Sequence, residues 1–191
     1  MPFLSNILFL LIILLNFSVY SFTIPENKKA TYDVWRKNKV IGTHEILFSE
    51  NNGYLSIETN IDIEVKIFFL TAYSFAHQSK EIWRGGDFVK INGYSNFEDE
   101  RKYLIEGEVK DGFLFASGMD GKLKLDKNLI PSNFWNIDVM YQDEIFDTQK
   151  GIVRKLDIKE VGKEVITINN KNINCTKFVL NATKHPKDKD I

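Results

Sequence analysis

His77, Ser79 and Glu81 stand at alternate positions of one stretch, and a base, a hydroxyl and a carboxylate are the ingredients of a hydrolytic relay. Their spacing speaks against one. In an extended strand, residues two apart point the same way but sit ~6.6 Å from each other, too far for a direct relay. His44 lies in a second extended stretch and could meet His77 across strands, yet two imidazoles make no metal site without a third ligand. His185 falls in the charged tail. Cys175 is the single cysteine of the chain, which excludes an intrachain disulfide and a cysteine-cluster metal site. Its neighbours Asn174 and Thr176 offer no activating base, and a thiol buried in the core is the expectation. Gly-rich phosphate loops, His-Glu-x-x-His and Gly-x-Ser-x-Gly turns are absent. No catalytic residue, metal ligand or cofactor is assigned on this basis, and catalysis is the least favoured reading.

Binding has more behind it. Tyr73, Phe75, His77 and Trp83 share one side of an alternating stretch, with Phe69 just before it and Trp135 elsewhere in the chain. These six residues are the candidates for contact with an apolar or lipid-like ligand. Aromatic side chains on the inner face of a curved sheet are also its ordinary core, so the row can serve either purpose. A long curved sheet is a standard way to build a pocket.

The element that must position them runs from Tyr54 to Trp83. Leu55, Ile57, Thr59, Ile61, Ile63, Val65 and Ile67 alternate with Ser56, Glu58, Asn60, Asp62, Glu64 and Lys66. One face is apolar and the other polar, the signature of a half-buried strand. Phe68, Phe69 and Leu70 break the pattern by being apolar on both faces. A packed corner is the expectation there, with an exposed apolar tip that meets membrane or ligand as the other possibility. Before this stretch, residues 30–36 and 40–49 read as a hairpin, and Asn51-Asn52-Gly53 as a turn. After it come residues 88–97, 102–109, 113–117 and 122–125, separated by turns such as Asp111-Gly112 and Asp120-Gly121. Asn136 is placed to cap a short helix over residues 137–141, in a segment that begins near Pro131. Residues 152–160, 164–168 and 174–181 read as three further strands, with Gly162-Lys163 as the turn between the first two. Residues 184–191 read as a disordered tail.

The charges are balanced, with 25 basic and 26 acidic residues interspersed, which excludes the clustered basic face of a nucleic-acid binder. Residues 1–25 carry no charged side chain, and Ile7 to Leu15 is an unbroken apolar run. That is short for a membrane span of ~20 residues and fits a secretory signal. Cleavage is expected near Ser21, leaving a domain over residues 22–183 in the periplasm or outside the cell, with no transmembrane span. An uncleaved N-terminal anchor is the alternative.

Four short segments carry a resemblance. Tyr32-Asp33-Val34-Trp35-Arg36 followed by Ile41-Gly42-Thr43-His44 is the first. The second is Glu81-Ile82-Trp83-Arg84-Gly85-Gly86, the third Pro131-Ser132 followed by Phe134-Trp135-Asn136, and the fourth Asp147-Thr148-Gln149 followed, one residue on, by Gly151. In order and spacing they resemble a family of exported bacterial β-proteins of unknown function, with YDV…IGTH, E-x-W-R-x-G and P-S-x-F-W-N signatures. The resemblance implies an envelope protein built like the half-barrels of lipoprotein carriers, and no activity. The expected fold is mainly β, a single curved antiparallel sheet forming a half-barrel or barrel, with a short helical or irregular segment packed on it. The expected function is non-catalytic binding of an apolar or lipid-like ligand. The alternative is a structural or assembly protein of the envelope that acts through a protein partner.

Overall fold

The alternation that begins at Tyr54 is realised in full. In the computed structural model, which describes residues 24–98, 100–168 and 170–187, the first eight strands form one antiparallel meander. They are β1 (Lys29–Arg36), β2 (Lys39–Asn51), β3 (Tyr54–Ile67), β4 (Leu70–Arg84), β5 (Asp87–Phe97), β6 (Arg101–Lys110), β7 (Phe113–Gly118) and β8 (Gly121–Asp126). Each pairs only with its sequence neighbours, so β1 and β8 stay as open edges and the sheet does not close into a barrel. The mainly β class and the half-barrel hold; closure does not. The expected export segment, residues 1–21, lies outside the described residues.

A single sheet was expected, and the structure has two. After the 3-10 helix Ile137–Tyr141, capped by Asn136, come β9 (Glu144–Asp147), β10 (Ile152–Ile168) and β11 (Lys171–Ala182) in a separate antiparallel sheet of order β11-β10-β9. The two strands expected at 152–160 and 164–168 are one strand. Gly162, with φ 133°, sits at a register shift against β11, so it makes a bulge that bends the strand and not a turn that ends it. Residues 184–187, expected as the start of a free tail, return to the β7–β8 turn: His185 Nε2 lies 2.9 Å from Asp120 Oδ2, and Lys187 Nζ donates to Asp120 Oδ1 at 2.7 Å. Among the described residues no helix is long and apolar enough to cross a membrane.

Register decides which side chains share the inner face. Directly opposed residues of an antiparallel pair point the same way. One inward row crosses the sheet as His44, Ile61, His77, Ser95 and Tyr103, and another as Phe48, Ile57, Glu81, Ile91 and Gly107. Leu129, Ile130, Val139, Ile145 and Phe146 cover these rows and form one buried cluster with Ile57, Trp83, Ile91, Ile105 and Leu114. The sheet must curl to achieve this. In a flat sheet, β2 and β7 would stand five strand spacings apart, ~24 Å. Yet Gln149 lines a pocket with His44 of β2, while Gly151, two residues on, abuts Gly118 of β7.

Gly42 shows how close the strands run. A Cβ there would come 2.8 Å from the Ile63 Cα and 2.9 Å from the Asp62 carbonyl carbon, with the Asp62 oxygen nearer still. Gly42→Ala is expected to lower stability by about 2 kcal/mol in urea denaturation, because backbone and not a flexible side chain must give way. An unchanged midpoint would show that the β2–β3 register relaxes at no cost.

Two expectations about burial are corrected. Phe68–Leu70 is no packed corner. Pairing to β2 stops at Ile63 and pairing to β5 stops at Phe75, so the end of the β3–β4 hairpin is paired to neither neighbour and its apolar side chains stay exposed. Cys175 is half-exposed on β11, because the outer part of the β10–β11 ribbon has no layer packed on it.

Candidate functional site

The long β4 strand sends Phe75, His77, Ser79, Glu81 and Trp83 inward at alternate positions, and all five are buried. A carboxyl group in such a row has to be satisfied from the covering segment. Glu81, 1% exposed, accepts at Oε2 from Trp83 Nε1 at 2.9 Å and from Asn133 Nδ2 at 2.8 Å. Burial pushes its pKa up to about 7, while the hydrogen bonds from Trp83, Asn133 and Trp135 favour the charged form and limit the rise. Trp83 is held edge-on between Phe88 and Trp135, at ring distances of 5.4 and 5.1 Å, and Trp135 meets Phe48 edge-on at 6.2 Å.

His77, also 1% exposed, places Nδ1 2.8 Å from Ser95 Oγ on the neighbouring strand. Burial lowers its pKa to about 4 against the opposing pull of the Asp147 charge, so the ring is neutral at physiological pH. His44, on the same row, is lowered by burial too. The relay imagined from His77, Ser79 and Glu81 does not form. The hydroxyl on His77 belongs to Ser95, which is fully buried and out of reach of a substrate.

The covering loops are fixed by their own hydrogen bonds. Residues 130–132 run beside β9, with Phe146 N donating to Ile130 O at 2.9 Å and Ser132 N donating to Phe146 O at 2.8 Å. Ser132 Oγ accepts from Thr148 N at 3.0 Å. Asp147 organises the next turn: Oδ1 accepts from the backbone N–H of Gln149 at 2.9 Å and of Lys150 at 3.2 Å, and Oδ2 accepts from Arg154 Nε at 2.6 Å. That turn docks on the β7–β8 turn, where Met119 N donates to Lys150 O at 2.7 Å.

Between sheet and loops lies a cavity of about 140 Å³. The sheet contributes His44, Thr59, His77, Ser79 and Glu81, together with Ile46 and Ile61. The loops contribute Ser132, Asn133, Phe134, Thr148 and Gln149. Among the described residues no lysine or arginine lines it, and the buried Asn133 Oδ1 has no hydrogen-bond partner. Hydroxyls and amides make up most of the polar lining, and Asn133 Oδ1 is the one lining acceptor, among the described residues, that is buried without a donor. Among the described residues no group of three His, Cys, Asp or Glu is placed to hold a metal ion.

The six aromatic and histidine candidates do not converge. His77 lines the cavity, and Trp83 and Trp135 reach it only through Glu81. Phe75 packs on Phe97 at 4.6 Å and stacks on His77. Tyr73 is half-buried, and Phe69 stands exposed at the hairpin tip. The concave face where an apolar ligand was expected is filled by the protein's own core. Sequence reasoning missed Thr59, Ser132, Asn133, Thr148 and Gln149 as pocket residues. Part of the signal was present in the four short segments, each of which supplies residues here: His44 from the first, Glu81 from the second, Ser132 and Phe134 from the third, Thr148 and Gln149 from the fourth.

A family model described as a domain of unknown function, DUF6134, matches residues 32–191. No curated protein and no solved structure matches the chain.

Proposed function

The chain belongs to the DUF6134 family of domains of unknown function, and we infer that it is an exported protein, periplasmic or secreted, that binds a small hydrogen-bond-donating ligand without chemistry. The uncharged, apolar start of the sequence supports export. One observation carries the ligand class. The buried Glu81 carboxyl and the unpartnered Asn133 Oδ1 border a cavity that, among the described residues, no lysine or arginine lines. A buried acceptor without a donor, as Asn133 Oδ1 is, is costly, and a ligand that brings a donor, or a positive charge beside Glu81, removes the deficit. An amine or a small polyol fits that chemistry and the size of the cavity. An apolar chain finds no such support beside Trp83 and Trp135, which pack on one another.

Ligand-observed NMR with a panel of small primary amines and polyols tests this. At least one amine is expected to bind wild type, more tightly as pH rises through 7 and Glu81 loses its proton. Glu81→Gln is expected to weaken that binding at least tenfold, ~1.4 kcal/mol. Equal binding by the variant, or none across the panel, would overturn the reading.

A second reading, an envelope assembly protein with a protein partner, is favoured by the β10–β11 ribbon. Val161, Val165, Ile168, Ile173 and Val179 are exposed along it, and β11 is an open edge that another strand can pair with. Stoichiometric co-purification of a partner that is lost on Val165→Lys would support it.

A further inference from the structure

We propose that one end of the eight-stranded sheet is a membrane-docking surface for an anionic lipid bilayer. The inference is independent of the pocket and goes beyond ligand binding. Connections in a meander alternate between its two ends, so the β1–β2 and β3–β4 turns share one end. At the β3–β4 turn, Ile67, Phe68, Phe69 and Leu70 are 59, 94, 88 and 65% exposed. Four consecutive apolar residues on a protruding tip are not scattered surface residues. Phe68 holds φ at 57°, a left-handed conformation that glycine or asparagine takes with less strain, and its ring lies outside the core.

The occupant follows from shape and charge. The tip is convex and apolar on both faces of the ribbon, which suits a fluid apolar medium that closes around it. A protein partner would cover one face. Four side chains of this size offer at most about 600–700 Å², short of the ~800 Å² per partner of a standard protein interface. The neighbouring β1–β2 turn adds Trp35, 62% exposed, and the exposed Arg36, Lys37 and Lys39. None of these three cations is ion-paired among the described residues. An aromatic ring beside basic residues is the composition that seats a protein at the headgroup level of an anionic surface. Acidic Glu98 and Glu100 share this end but are set back. The β5–β6 turn leaves the sheet at the Phe75–Phe97 pair, five residues short of Leu70 along β4, roughly 16 Å at ~3.3 Å per residue. Glu64, nearer the tip, is neutralised by Lys66 at 2.8 Å.

Co-sedimentation of the full chain with vesicles of phosphatidylethanolamine and phosphatidylglycerol, against vesicles of phosphatidylcholine alone, is the test. Wild type is expected to partition onto the anionic vesicles, with a blue shift of tryptophan emission from Trp35. The double variant Phe68→Ser, Phe69→Ser is expected to lower that partition at least tenfold with an unchanged thermal melt. The triple variant Arg36→Ser, Lys37→Ser, Lys39→Ser is expected to lower it by about fivefold per cation on anionic vesicles only. Because the same N-terminal residues are present in every variant, they cannot produce these differences. Equal partition of wild type and the double variant would overturn the proposal. So would the absence of wild-type binding, or a dimer in lipid-free solution that the double variant abolishes.

Discussion

Glu81→Gln is expected to gain about 3 kcal/mol in stability relative to wild type as pH is raised from 4.5 to 7. In the wild type, Glu81 has an ordinary carboxyl pKa of 4.5 when unfolded and about 7 when folded. Between those values the folded state holds a proton that the unfolded state has released, so wild-type stability falls as pH rises. His77 has the opposite sign. Its pKa is 6.5 unfolded and about 4 folded, so between those values the unfolded state holds the extra proton and stability rises with pH. Each displacement is worth about 3 kcal/mol at ~1.4 kcal/mol per tenfold change in proton affinity. The two slopes offset each other over most of the window in the wild type. Removing either exposes the other. Glu81→Gln should therefore climb relative to wild type, while His77→Gln should fall by a similar amount from pH 4 to 6.5. Urea denaturation across that range checks both, and parallel profiles for all three proteins would show that neither group is held as its surroundings require.

Gly151→Ala is expected to cost about 3 kcal/mol and to displace the pocket loop. Gly151 sits at φ 66°, and a Cβ on it would come 2.7 Å from both the Gly118 Cα and the Ser117 carbonyl oxygen. Conversely, a Cβ on Gly118 would stand 2.5 Å from the Gly151 Cα. The two turns meet backbone to backbone, with no side chain able to yield. Gly112 provides the control: it has φ 78° but open space around it, so Gly112→Ala should cost only about 1 kcal/mol. Displacement of Thr148 and Gln149 should also appear as shifted ring resonances of His77. Similar small costs at Gly151 and Gly112 would mean that the docked turn is not held as tightly as its geometry implies.

The consequence for function is that the pocket is assembled from distant parts and depends on their docking. Ser132 to Phe134 and Thr148 to Gln149 meet His44, His77 and Glu81 only because the sheet curls and the Asp147 turn is pinned between Arg154 and the β7–β8 turn. A variant far from the cavity, at Gly118 for example, acts on it through that docking.

The meander was legible from residues alone. Alternation over Tyr54–Ile67, Gly-containing turns and the Asn136 cap are local chemistry, and the strands and the 3-10 helix form where that chemistry places them. The sequence also marked the four segments whose residues border the pocket, without showing that they meet. The tertiary structure alone decided the rest. Periodicity tells which residues share a face of one strand, but burial depends on what is stacked on that face. So Phe68–Leu70 is exposed where pairing to both neighbouring strands has ended, and Trp83 is core where residues 129–146 cover it. Register across four strands put His44, His77 and Ser95 in one row. The four-residue β9 strand, too short to show a period, carried β10 and β11 into a second sheet. Glu81 acquired its raised pKa because the fold buries it, while Asn133, fifty-two residues away, donates a hydrogen bond that limits the rise. Contacts at that separation are set by the summed geometry of the fold, which no window of neighbouring residues contains.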